Sequence, residues 1–275
     1  MRVLRPRCAF ECPVEAEGLV PERLAEMTTE TLLRLPLAYG RFSVPLGELF
    51  DVEADGAADA TVVLEGDFSR VKRIGENMAG GLLEIRGNAG MHLGAGMSGG
   101  TIRVLGNVDA WAGAMMFGGC IEITGNAGPS LAGAYPGEMR GMRGGVVLVR
   151  GDAGGRAGER LRRGLIVVGG RTGDFPGLGM LAGTLVAFGT LGSRAGAGSK
   201  RGTIVALGGI QGEMLPTYRE ACSYRPVFLD RLLRFLEREG FSVTAEHRSG
   251  RFRRWVGDAN ELGKGEILVH EKDLQ

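Results

Sequence analysis

Two series of glycines run through this chain in fixed phase, and no other feature limits its fold as tightly. Gly66, Gly87, Gly106, Gly125, Gly151, Gly170, Gly189 and Gly208 each close a short apolar run, at intervals of 21, 19, 19, 26, 19, 19 and 19 residues. Gly81, Gly100, Gly119, Gly145, Gly164, Gly183 and Gly202 open those runs. Between the two series lie TVVLE, LLEIR, TIRVL, CIEIT, VVLVR, LIVVG, TLVAF and TIVAL. The second residue of each is apolar: Val62, Leu83, Ile102, Ile121, Val147, Ile166, Leu185 and Ile204. So is the fourth: Leu64, Ile85, Val104, Ile123, Val149, Val168, Ala187 and Ala206. A period of two marks a strand with one buried face. The remainder of each unit is rich in Gly, Ala and Met, too glycine-rich to be a stable helix.

Such a repeat predicts an all-β fold: a right-handed parallel β-helix, a solenoid of about eight coils of about 19 residues each, with short helical terminal caps. Equivalent strands would pair in parallel about 4.8 Å apart, so that eight coils rise about 34 Å. The glycines fit corners with positive φ, or corners where neighbouring backbones come close. Asp67, Asn88, Asn107, Asn126 and Asp152 follow the closing glycines and predict a stacked polar ladder at that corner. The 26-residue interval carries seven extra residues within 133–145, a loop projecting from one face. Three regions are expected. Residues 1–59 form an N-terminal cap with a short helix at 21–35, and residues 60–209 form the β-helix. Residues 210–275 form a C-terminal extension with a helix at about 226–240 and a short strand-like tail. That helix would present Phe228, Leu232, Phe235 and Leu236 on one face and stop at Gly240.

The chain carries 33 Lys+Arg against 32 Asp+Glu, a balance that points to neither nucleic acid nor a membrane surface. Cys8, Cys12, Cys120 and Cys222 show no metal-site or redox spacing, which predicts free thiols in a reducing cytoplasm. No stretch approaches the roughly 18 apolar residues of a membrane span. Gly94, Gly96 and Gly99 satisfy G-x-G-x-x-G, and Gly96-Met97-Ser98-Gly99-Gly100 satisfies G-x-S-x-G. Both lie mid-repeat, without the strand-to-helix turn that either chemistry needs. His92, His247 and His270 stand apart from one another and from every cysteine. No catalytic, cofactor-binding or metal-binding residue is therefore expected on this chain.

What remains is surface. Glu84, Arg103 and Glu122 are the middle residues of three successive strands, and stacking would make them a cross-strand charge ladder. Arg140, Arg143, Arg150, Arg156, Arg160, Arg162, Arg163 and Arg171 oppose only Glu138, Asp152, Glu159 and Asp174, a local excess of four (eight minus four). In the last three units the outward positions read Val167 and Gly169, Val186 and Phe188, Val205 and Leu207. An apolar patch of that size needs a cover, either the chain's own tail or a partner. The candidate interface is thus Arg160, Arg162, Arg163, Val167, Val186, Phe188, Val205 and Leu207.

The periodic glycines, with GNAG at 87–90 and 125–128, resemble the GXGXG β-helix domain at the C-terminal end of the glutamate synthase large subunit. GNVDAWAGAMMFGG (106–119), GAYPGEMRGMRGG (133–145) and GGRTGDFPGLGMLAGT (169–184) are more similar to the C subunit of formylmethanofuran dehydrogenase and of the related bacterial formyltransferase/hydrolase complex. The tail RFRRWVGDANELGKGEILV (251–269) resembles the bacterial, methylotroph-type version. This resemblance implies a non-catalytic structural component of a complex that converts formyl-tetrahydromethanopterin to formate through a methanofuran-type carrier. The implied partners are a formyltransferase, a zinc-dependent hydrolase and a third subunit related to the metal–pterin subunit of formylmethanofuran dehydrogenase. The methanofuran analogue, tetrahydromethanopterin and zinc would sit on those partners, with no cofactor on this chain. Two alternatives stay open: the C subunit of a CO2-reducing tungsten or molybdenum enzyme, or a free-standing glutamate synthase GXGXG structural domain.

Overall fold

The computed structural model describes residues 1–54 and 60–271. The N-terminal elements are β1 (Arg2–Pro6), β2 (Val14–Glu15), α1 (Pro21–Glu26), α2 (Thr29–Leu33), β3 (Pro36–Tyr39), β4 (Phe42–Pro45), α3 (Leu46–Leu49) and β5 (Phe50–Ala54). The repeat region supplies β6 (Thr61–Glu65), β7 (Val71–Lys72), β8 (Leu82–Arg86), β9 (Thr101–Val104) and β10 (Cys120–Ile123). It continues with β11 (Val146–Val149), β12 (Leu165–Val168), β13 (Thr184–Ala187) and β14 (Arg201–Ala206). The tail adds β15 (Arg219–Tyr224), α4 (Val227–Arg238), α5 (Ala245–Ser249), β16 (Phe252–Gly257) and β17 (Lys264–His270).

Every glycine-bounded apolar run is a strand, and the repeat sets its register. Val62, Leu83, Ile102, Ile121, Val147, Ile166, Leu185 and Ile204 lie side by side in parallel from β6 to β14. All sixteen inward residues are buried, none more than 2% exposed. Cys120 still pairs with Val146 across the 26-residue unit, so the extra residues loop out without shifting the register. At the next corner, single bridges link Phe68, Ala89, Val108, Ala127, Ala153 and Thr172.

The expected parallel β-helix, a right-handed solenoid closed by short helical caps, is overturned. The described strands form a mixed sheet of thirteen, ordered β15-β16-β17-β14-β13-β12-β11-β10-β9-β8-β6-β1-β5, beside a four-stranded sheet, β4-β3-β2-β7. Antiparallel pairs close both ends: β5 on β1, and β15 on β16 on β17. The physical reason is the edge. A parallel stack ends in a row of unpaired N–H and C=O groups, and another strand satisfies that row where a helix cannot. The terminal regions therefore contribute strands, with helices packed beside them. Residues 55–59 and 272–275, which the expected regions include, lie outside the described residues.

The helix expected over 21–35 is two short ones, α1 and α2. Met27, with extended backbone, ends the first, and the Thr28 hydroxyl caps the second by accepting from the Thr31 N–H at 3.2 Å. The second core ladder comes from the stretch between strands. Met78, Met97, Met116, Met142 and Met180 recur at one phase and are buried, filling irregular space with flexible thioethers.

Candidate interface

The outward apolar residues are covered by the chain itself. Leu148, Val167, Val186, Val205 and Leu207 are at most 1% exposed and form a second core with Leu229, Leu233 and Leu236 of α4, Phe241, Phe252 of β16 and Leu268 of β17. Each such side chain taken fully from water is worth about 1.5–3 kcal/mol. Phe188 lies at the margin, its ring stacked on Phe241 with centroids 5.3 Å apart. The Arg150 guanidinium sits 4.1 Å from the centre of the Phe241 ring and donates to the Glu239 carbonyl. Val167, Val186, Val205 and Leu207 thus lie beneath the tail. The covering face of α4 is the Leu229–Leu233–Leu236 stripe, while Phe228 is 46% exposed. Leu232 and Phe235 of the expected face are only partly buried against the same core, so periodicity alone admits two neighbouring stripes.

The arginines divide between two tasks. Arg160 is half-buried and donates to the carbonyl of Glu138, holding the insertion loop. Arg143 stacks over Phe117, 4.7 Å from its ring centre. Arg162 and Arg163 stand exposed at the corner that precedes β12. The charge ladder forms in register, Glu84 beside Arg103 beside Glu122, but only one of its ion pairs closes. Arg103 Nε lies 2.9 Å from Glu122, whereas Glu84 is taken by Arg86 at 2.7 Å. The polar corner is continuous from Asn88 onward, whereas the Asp67 carboxylate accepts from Ser69 within its own turn. The side-chain oxygens of Asn88, Asn107, Asn126 and Asp152 accept from the backbone N–H of Asn107, Asn126, Asp152 and Arg171, at 2.7–2.9 Å.

One cluster escaped the sequence reading. Tyr135, in the insertion, places its hydroxyl 2.8 Å from His92 Nδ1, and the His92 ring stacks on Trp111 with centroids 5.5 Å apart. His92 and Trp111 lie 19 residues apart, both with positive φ (64° and 60°). Their common phase was the available signal. Burial first, then the nearby Arg73 charge, lowers the His92 pKa. Burial also raises the Tyr135 hydroxyl.

Among the described residues no group of three or more His, Cys, Asp or Glu is placed to hold a metal ion. Burial pushes the Cys120 thiol up to about 11, away from the thiolate that a nucleophile requires. His270 Nε2 lies 3.1 Å from the Glu246 carbonyl, a structural contact. The glycine motif at 94–99 opens no helix. No helix among the described residues is long and apolar enough to cross a membrane.

Comparison with known proteins then places the chain. No family model matches it. Over 94 residues it is 38% identical to the C subunit of molybdenum-containing formylmethanofuran dehydrogenase 1 from Methanosarcina barkeri, covering 33% of this chain and 31% of that one. The C subunit of tungsten-containing formylmethanofuran dehydrogenase 2 from Methanothermobacter marburgensis is also 38% identical over 94 residues, covering 33% and 35%. These alignments span about a third of the curated relatives. The crystal structure of the formyltransferase/hydrolase complex (FhcABCD) from Methylorubrum extorquens with methylofuran contains a chain that matches from end to end. Its TM-score is 0.91 at 34% identity, over 98% of this chain and 100% of that one. This chain belongs to the C-subunit family of formylmethanofuran dehydrogenase. Within that family the full-length likeness extends to the terminal regions, so β15–β17 and α4 are part of the shared architecture and not an appendage.

Proposed function

We propose that this chain is the structural, non-catalytic subunit of a formyltransferase/hydrolase complex of one-carbon metabolism, which converts formyl-tetrahydromethanopterin to formate through a methanofuran-type carrier. The observation that carries this reading is the end-to-end match to a chain of the Methylorubrum complex. The partners are a formyltransferase, a zinc-dependent hydrolase and a third subunit related to the metal–pterin subunit, and they hold the carriers and the zinc. A structural role is supported by the surroundings of three reactive side chains: His92 bonds Tyr135, His270 meets a backbone carbonyl, and burial raises the pKa of the Cys120 thiol. A second reading, the C subunit of a CO2-reducing molybdenum or tungsten enzyme, draws on the names of the curated relatives over a third of this chain. Affinity purification of the native complex, with mass spectrometry and metal analysis, tests both. Formyltransferase and hydrolase partners with zinc support the first reading, and stoichiometric tungsten or molybdenum the second. A glutamine-dependent synthase as partner overturns both.

A further inference from the structure

From Gly119 onward, the residue two places before each opening glycine forms a column along one corner: Phe117, Arg143, Arg162, Leu181 and Lys200. Their backbone N–H groups donate to the carbonyls of Met97, Met116, Met142, Leu161 and Met180 in the preceding units, at 2.6–2.9 Å. The column therefore climbs one strand spacing, about 4.8 Å, per unit. Arg163 and Arg201 stand next to it in sequence, and Arg201 is register-paired with Lys264 of β17. Six cations, Arg143, Arg162, Arg163, Lys200, Arg201 and Lys264, thus line one edge of the molecule along β11, β12, β14 and β17, with Leu181 of the β13 unit between them. Arg162, Arg163, Arg201 and Lys264 are exposed. Among the described residues, the ion pair on this strip is Lys200 with Glu261, at 3.6 Å. Like charges at strand spacing repel, and an anionic partner would relieve that repulsion. At one end Phe117, 52% exposed, offers an apolar anchor beneath the Arg143 guanidinium, and aromatic and Arg side chains are the usual energetic centres of protein interfaces.

We infer that this strip docks an acidic α-helix of a partner subunit; the inference rests on the subunit role proposed above. The spacing selects the helix. Carboxylates at i, i+3 or i+4, and i+7 recur about every 5.4 Å along one helical face, near the step of the strip. An extended strand shows one side chain per face about every 6.7 Å and falls out of step within two units.

The test uses the whole complex. Arg162→Glu, Arg163→Glu and Arg201→Glu together change exposed side chains, and should weaken assembly about tenfold or more at low salt, with the deficit shrinking as salt rises. Arg231→Glu with Arg238→Glu, on the outer face of α4, should leave assembly unchanged. Zero-length carbodiimide coupling gives the second readout: Lys200 should join Glu261 within the chain, and Lys264 should join partner Asp or Glu residues spaced three or four apart. Undiminished assembly of the triple variant overturns the docking strip, even though the subunit role stands. Loss of duplex RNA binding by the triple variant, with assembly intact, also overturns it, in favour of a nucleic-acid ligand. Failure of the unaltered chain to assemble overturns the subunit role and the strip together.

Discussion

At the scale of single residues, the glycine repeat is a steric requirement as much as a conformational one. Gly119 opens β10 with φ +83°, and a Cβ there would lie 2.7 Å from the Met97 methyl carbon and 2.9 Å from the Gly100 carbonyl oxygen. The closing glycine Gly125 has no positive φ, but a Cβ on it would meet the Gly106 carbonyl oxygen at 2.6 Å. Every opening glycine has positive φ, and both series lie where a neighbouring backbone comes close. Gly119→Ala should cost about 2 kcal/mol or more, combining left-handed strain with overpacking. Gly137→Ala, at a loop position with φ +88° where a Cβ would meet nothing within 4 Å, should cost about 1 kcal/mol from left-handed strain alone. Urea denaturation of the two variants checks the difference, and equal losses would contradict it. His92 makes a pH prediction. Its folded pKa lies below the ordinary value of 6.5, so the less ordered state binds more protons in the window between the two values. The contribution of His92 is then present above pH 6.5 and is lost as pH falls through the folded value. In a Trp255→Phe background, Trp111 emission should change on acidification below pH 6.5, and His92→Gln should remove that response. A response that survives His92→Gln would assign the titration elsewhere.

At the scale of elements, α4 converts an exposed sheet face into a second core. Its leucine stripe, not Phe228, touches the valines beneath. Leu233→Ala should lose about 2–5 kcal/mol through the cavity it leaves, whereas Phe228→Ala should stay within about 0.5 kcal/mol. Denaturant midpoints decide between them, and a larger loss at Phe228 would mean that the helix packs on its other stripe. The insertion illustrates the opposite case, an element held from outside. Arg160 grips the Glu138 carbonyl, and Tyr135 is pinned by His92, so a loop added to one unit is fastened to the unit after it and to one two units before it.

At the scale of the molecule, ten parallel strands (β1, β6, β8–β14 and β17) are flanked by antiparallel ones, β5 at one end and β16 and β15 at the other. The central strands have neighbours on both sides, and β5 and β15 have one each. Hydrogen exchange read by mass spectrometry should find the amides of β10–β12 slowest and those of β5 and β15 fastest, because opening costs least where pairing is one-sided. Uniform protection across the sheet would show instead that the whole sheet opens as a unit. The basic strip also exists only at this scale, since Lys264 joins Arg201 through the return of the tail to the edge of the repeat.

Strand positions, inward residues, register, the polar corner and the need for a cover over Val167, Val186 and Val205 were all legible in the chain. Each depends on local periodicity, and a parallel repeat carries that periodicity directly into space. The resemblance to the C-subunit family was legible in the same repeats. Three things were decided only by tertiary structure. The ends close with strands, because satisfying a sheet edge depends on which distant segment returns to it. Which stripe of α4 packs most deeply was decided by how the helix lies on the valine surface, which no period encodes. The aromatic cluster needed Tyr135 to fold back from the insertion onto His92, a contact between residues 43 apart. Short-range patterning determines what repeats, and long-range closure determines what ends it.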